Sequence, residues 1–153
     1  MGAGLDRIIL FFASGFLSGY APLASGTAGT LVGIAIFILL NQFPLKLYGI
    51  LTSAIVFFGV WLSSRAEAIL GEKDSGVIVI DEIAGFLITM FALPMTWQTI
   101  VIGFFVFRAF DIFKPFPIRR IDQRVPGGWG VMLDDVLAGV YANLTIHLLR
   151  RVM

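Results

Sequence analysis

The stretch IDEIAGFLITMF, residues 80–91, opens on two adjacent carboxylates, Asp81 and Glu82, and continues without another charge. An apolar run of this kind reads as a helix, and ionisable groups at its mouth are costly unless they serve something. The arrangement recurs in VMLDDVLAGVYANL, residues 131–144, with Asp134 and Asp135. Both pairs are followed by a small residue and glycine, Ala84-Gly85 and Ala138-Gly139. Attraction to the helix dipole accounts for one acid at a helix start. It accounts poorly for doublets, because neighbours about 100° apart cannot both cap and they repel each other. The two doublets look like halves of one site.

Composition sets the medium. The chain has 153 residues, enough for one domain spanning residues 1–153. It is 58% hydrophobic and 14% charged, with 15 Phe, and its mean hydropathy is +0.94. Soluble domains average roughly 45–50% apolar and about 25% charged residues. The expected fold is therefore all-α: a compact multi-helix integral membrane bundle of about six helices, some short or interfacial. A soluble all-helical domain with an unusually apolar core is the rival, kept open by the shortness of several runs. The absence of cysteine removes disulfides, thiolate nucleophiles and Cys metal sites. A net charge of +1 says nothing about nucleic acid, but no basic run with interleaved aromatics appears, and no nucleic-acid partner is expected. Arg7 followed by apolar residues imitates a secretory signal, but the glycine-threonine segment directly after it speaks against cleavage. Asp6 stands where a myristoylation motif wants Ser or Thr.

Apolar stretches run over about residues 8–24, 30–40, 47–63, 82–93, 99–113 and 131–149, separated by turn chemistry such as GEKDSG and KPFPIRRIDQRVPGGWG. The first fits either a crossing or an interfacial helix. If the others alternate across a bilayer, residues 64–79, both acid pairs and the end of the 99–113 helix all fall on one face. That face holds Arg65, Lys73, Arg108, Lys114, Arg119, Arg120 and Arg124, whereas the other holds Lys46, Arg150 and Arg151. The positive-inside rule then turns the site toward the cytoplasm.

Carboxylates gathered from separate helices suit a hard cation such as Mg2+, with phosphate oxygens and waters completing its shell. FRAFDIFKPFPIRR, residues 107–120, adds Arg108, Asp111 and Lys114 at intervals of three, along one side of a helix end. Pro115 and Pro117 are expected to stop that helix and hold the next segment extended. A snorkelling stripe of cations is the alternative reading. Against it, Asp111 between the cations suits a metal ligand, and Arg and Lys suit phosphate oxygens. SGTAGT, residues 25–30, lacks the ending of a nucleotide-binding loop; its glycines offer backbone N–H groups to an anion, though plain turn chemistry fits equally well. His147, the lone histidine, lies well beyond the second acid pair and reads as structural. No cysteine-phosphatase, aspartyl-nucleophile or two-histidine pattern is present. If phosphate is hydrolysed here, a metal-activated water must attack, with a carboxylate taking its proton and cations stabilising the phosphoryl charge.

GTAGT, DE, FRAFDIFKPFPI, GGWGVMLDD and the trailing AG, in this order, resemble the phosphatidylglycerophosphatase A family over about three quarters of the chain, residues 25–139. The resemblance implies a Mg2+-dependent phosphoric monoester hydrolase of the bacterial cytoplasmic membrane, multi-pass, with its site facing the cytoplasm. Its expected substrate is the lipid phosphatidylglycerophosphate, cleaved to phosphatidylglycerol and phosphate. It also implies that Asp81, Glu82, Asp111, Asp134 and Asp135 form the metal and catalytic set. Thr27, Gly29, Thr30, Arg108 and Lys114 are the expected phosphate contacts. A metal-dependent phosphatidyltransferase is the enzyme alternative, but its spaced Asp-Gly and Ala-Arg pattern is missing. A small cation transporter or channel subunit is the other, and the cations clustered beside the acids oppose it.

Overall fold

The structure, a computed structural model, describes residues 2–152. Seven helices account for most of them, and no strand occurs among the described residues. They are α1 (Ala3–Ala13), α2 (Ser25–Leu40), α3 (Leu45–Leu70), α4 (Ile80–Thr89), α5 (Trp97–Phe113), α6 (Ile118–Arg124) and α7 (Gly127–Val152). The all-helical bundle expected from composition is what forms. Two helices, α3 and α7, are long and apolar enough to cross a membrane. The 26 residues of α3 reach about 39 Å at 1.5 Å each, against a hydrocarbon core of about 30 Å.

The first apolar stretch resolves differently from its length. Helix α1 has 11 residues, about 16 Å, and is too short to cross. The chain then turns through Gly15, Phe16 and Leu17, all with positive φ, into a 3-10 turn at Ser18–Tyr20. Further boundaries depart from the sequence expectation, among them the start of α2 at Ser25 in place of residue 30 and the end of α4 at Thr89 in place of residue 93. Helix α3 runs on to Leu70, because SSRAEAIL is polar but built of good helix formers. Helix α6 replaces the extended segment expected after the prolines. Pro117 precedes its first residue, where a fixed φ and a missing N–H favour a helix start, and Ile118 is completely buried. Helix α7 begins at Gly127, not Val131. Gly128 donates its N–H to Ser64 Oγ (3.0 Å) and lies so close to the Val60 carbonyl that a side chain there would collide with it. The segment PGGWG is therefore helical through tertiary contact with α3.

Helix α4 is the centre of the bundle, packed by α2, α3, α5 and α7. Phe86 on α4 meets Phe37 of α2 and Phe107 of α5 edge-on, each at 6.4 Å between ring centroids. All three are fully buried. With 10 residues, α4 spans about 15 Å and ends inside the protein, where its last carbonyls need donors. Tyr48 Oη donates to Leu87 O at 2.6 Å, and Asn143 Nδ2 donates to Thr89 O at 2.9 Å and Phe91 O at 2.8 Å. The outer surface is strongly apolar: Phe57, Phe105, Ile112 and Phe113 are among many large side chains left exposed. Surfaces of this kind face another apolar phase or a partner.

Candidate active site

The repeated acid-then-glycine pattern has a geometric meaning. Asp81 and Gly85 are four residues apart on α4, as are Asp135 and Gly139 on α7, so each acid and its glycine share a helix face. The helices touch at the glycines. A Cβ on Gly139 would collide with the Gly85 carbonyl oxygen, and one on Gly85 would lie 2.8 Å from the Asp135 carbonyl oxygen and 2.6 Å from Phe107. Only residues without side chains let the backbones approach so closely. One turn further along, Asp81 and Asp135 necessarily face each other.

The result is a buried acidic centre. Asp81, Glu82 and Asp135 each offer a carboxylate oxygen, all within 4.8 Å of one another. Asp81 is 8% exposed and Asp135 3%. Asp81 Oδ1, Glu82 Oε2 and Asp135 Oδ2 are buried without any hydrogen-bond partner. Such groups are expensive to bury alone, and carboxylates this close cannot all keep their charge unless a cation or shared protons intervene. A divalent cation fits this donor set: hard oxygen ligands, unpartnered and mutually close.

Helix α5 brings its last turns to the same place. Arg108 is paired with Asp111 one turn on, and lies 3.9 Å from Glu82 Oε1. Asp111 also lies against Asp135. Lys114, at the end of α5 with φ 44°, donates to Asp134 Oδ2 at 2.6 Å and contacts Asp122 Oδ1 at 3.0 Å. Burial alone would lower its basicity, but Asp134 and Asp122 outweigh that and hold Lys114 above the usual lysine range. It stays charged near neutral pH. The five expected acids thus fall into two roles of geometry. Asp81, Glu82 and Asp135 converge with free oxygens, Asp111 joins them while held by Arg108, and Asp134 points to Lys114. Because α7 starts early, Asp134 and Asp135 lie about two turns into it and not at its mouth.

The glycine-threonine segment is the first turn of α2. Gly26 faces the centre: a Cβ there would lie 2.5 Å from Glu82 Oε1 and 2.8 Å from Arg108 Nη1. Thr27 is half-buried in the same turn. Gly29 packs on Val79, where a Cβ would meet that side chain at 2.6 Å. Thr30 is completely buried and its hydroxyl donates to Gly26 O at 2.7 Å. Sequence reasoning left out Asp122, whose role needs α6 to be helical, and underused Gly26. His147 sits at the far end, near Phe91 O (3.4 Å).

Comparison with known proteins gives this geometry a context. The signature of the family described as phosphatidylglycerophosphatase A matches residues 11–150. The chain is 42% identical over 129 residues to phosphatidylglycerophosphatase A of Escherichia coli K12, covering 84% of this chain and 75% of that one. It is 41% identical over 140 residues to the protein of the same name from Haemophilus influenzae, covering 90% and 86%. A Bacteroides thetaiotaomicron protein named as a candidate phosphatidylinositol-3-phosphatase is 41% identical over 153 residues, covering 94% of each chain. No solved structure matches. A helical bundle with this acid centre and these relatives is a lipid phosphatase. The chain belongs to the phosphatidylglycerophosphatase A family.

Proposed function

We propose that this phosphatase removes the terminal phosphate of phosphatidylglycerophosphate in a Mg2+-dependent hydrolysis, leaving phosphatidylglycerol. The observation that carries the reading is the set of unpartnered oxygens on Asp81, Glu82 and Asp135, gathered within 4.8 Å beside Arg108. Asp81, Glu82 and Asp135 would hold the ion, with Asp111 and Asp134 completing the acidic set. When bound, Mg2+ supplies positive charge for phosphate oxygens and makes water easier to deprotonate.

The remaining work falls to the chain. Arg108 presents a guanidinium fork to phosphate oxygens. The first turn of α2 adds unpaired backbone N–H groups at Gly26 and Thr27, at the positive end of that helix. Gly29 and Thr30 serve the same end by packing: one lets α2 close on Val79, and the other ties the turn to Gly26. Lys114, fixed between Asp134 and Asp122, stabilises negative charge on the phosphoryl oxygens as water attacks and the lipid alcohol leaves. One carboxylate of the set accepts the proton of the attacking water.

The setting proposed is a bacterial cytoplasmic membrane. Helices α3 and α7 are long enough to cross it, and the outer surface is apolar. Lys46 and Arg150 lie at the end of the bundle away from the acids, while Arg65 in the last two turns of α3, Lys73, and Arg119, Arg120 and Arg124 of α6 lie toward the other end. This asymmetry supports a cytoplasmic site. The decisive measurement is phosphate release by purified protein from phosphatidylglycerophosphate in detergent, with and without Mg2+. Release that chelator abolishes and Mg2+ restores is expected. Release indifferent to chelator would overturn the metal role, and faster release from phosphatidylinositol 3-phosphate would overturn the substrate.

A further inference from the structure

A second feature lines up with the head of the site. Leu31 and Ile34 of α2, with Ile100, Val101, Phe104 and Phe105 of α5, line an apolar groove of about 190 Å³. The two helices run in opposite directions, and at the acid end the Arg108 guanidinium reaches Gly26. Leu31 and Ile34 lie about 8 and 12 Å along α2 from Gly26, and Phe104 and Val101 lie about 6 and 10 Å along α5 from Arg108. Both walls therefore begin one turn beyond the cationic end and continue for another turn. On α5, Phe104 and Val101 stand four and seven residues before Arg108 and so share its face, and Leu31, Val101 and Phe105 are exposed along the groove.

We propose that this groove seats an acyl chain of the phosphorylated lipid substrate, so that α2 and α5 hold head and tail of one molecule. The proposal rests on the lipid-phosphate reading above. Continuity singles out this occupant. Phe104 stands one helical turn before Arg108 on α5, so an anionic headgroup at Arg108 leaves its tail beside Phe104. Apolar contact with a chain contributes equally to the bound lipid and to its transition state, and so acts on KM and not on kcat.

The test places a large side chain in the groove at exposed positions, where folding is spared: Leu31→Trp and Val101→Trp. Kinetics are compared for dioleoyl and dihexanoyl phosphatidylglycerophosphate in mixed micelles. The expected result is a KM raised about tenfold for the dioleoyl lipid with kcat within about twofold, and no change for the dihexanoyl lipid. Equal losses on both lipids, or no change on either, would overturn the groove. Labelling of the unaltered protein by a diazirine-tailed phosphatidylglycerophosphate separates this from the catalytic reading. Label in α2 and α5, displaced by unlabelled phosphorylated lipid and not by phosphatidylcholine, upholds the groove even if no phosphate is released. Label displaced equally by both lipids assigns the surface to bulk lipid and overturns the proposal.

Discussion

Lys114 donates to Asp134 across 2.6 Å, joining the end of α5 to the middle of α7, and the same ammonium reaches Asp122 of α6 at 3.0 Å. Three elements thus share one cation, and Lys114 is the countercharge to Asp134, whose other oxygen accepts from the Asp135 N–H. Lys114→Met should leave Asp134 buried without a countercharge, a lesion of about 3 kcal/mol, and lower phosphate release at least about 100-fold. Asp122→Asn keeps the Asp134 bond and should cost only about threefold to tenfold, with Asp122→Glu recovering most of it. Equal losses in the Lys114 and Asp122 variants would show that Lys114 acts through α6 packing alone.

The acidic centre predicts opposite effects on stability and activity. Asp135→Asn removes a buried carboxylate that faces Asp81, Glu82 and Asp111, so the protein in chelator should melt at a higher temperature than the parent. The variant should also lose at least about 100-fold in phosphate release. Mg2+ should raise the melting temperature of the parent and leave that of Asp135→Asn unmoved, since an ion stabilises only the state that binds it. Thermal unfolding followed with and without Mg2+ decides this, and equal shifts in both proteins would remove Asp135 from the metal set.

Contact between Gly85 and Gly139 leaves no room for a methyl group. Gly139→Ala should destabilise the bundle by about 1–3 kcal/mol, the usual cost of overpacking. It should also separate Asp81 from Asp135, so that the Mg2+ needed for half-maximal activity rises along with the fall in melting temperature. A variant that melts early yet keeps its Mg2+ requirement would uncouple the glycines from the site.

Arg108 pairs with Asp111 and approaches Glu82, so its charge has two uses. Arg108→Lys keeps a positive charge but loses the fork, and should raise KM for the lipid more than it lowers kcat. A kcat loss with unchanged KM would move Arg108 from headgroup binding to the chemical step.

Much of this was legible in the residues. The doublets with their trailing glycines announced a paired structure, and the surplus of phenylalanine announced an apolar exterior. The boundaries were less legible, for physical reasons. SSRAEAIL is polar by composition and helical by propensity, so its charge disguised the last two turns of α3. GGWG looks like a loop until Val60 and Ser64 of α3 are in place to receive it. Asp122 gave no local sign at all, because only the helical turn of α6 carries it to Lys114. Gly29 and Thr30 showed the right segment, while Gly26, three residues earlier, is the one that touches Arg108 and Glu82.

The brevity of α4 has a consequence for how the enzyme comes into being. A segment of 10 residues is too short to be lodged in a bilayer by a translocation channel on its own hydrophobicity. Its trailing carbonyls are satisfied by Asn143, which belongs to a helix synthesised some forty residues later. Until α7 is made, the carbonyls of Thr89 and Phe91 therefore lack the donor that Asn143 supplies. A nascent chain lacking that helix carries the first acid pair and Arg108 but not Asp135, the third carboxylate of the centre.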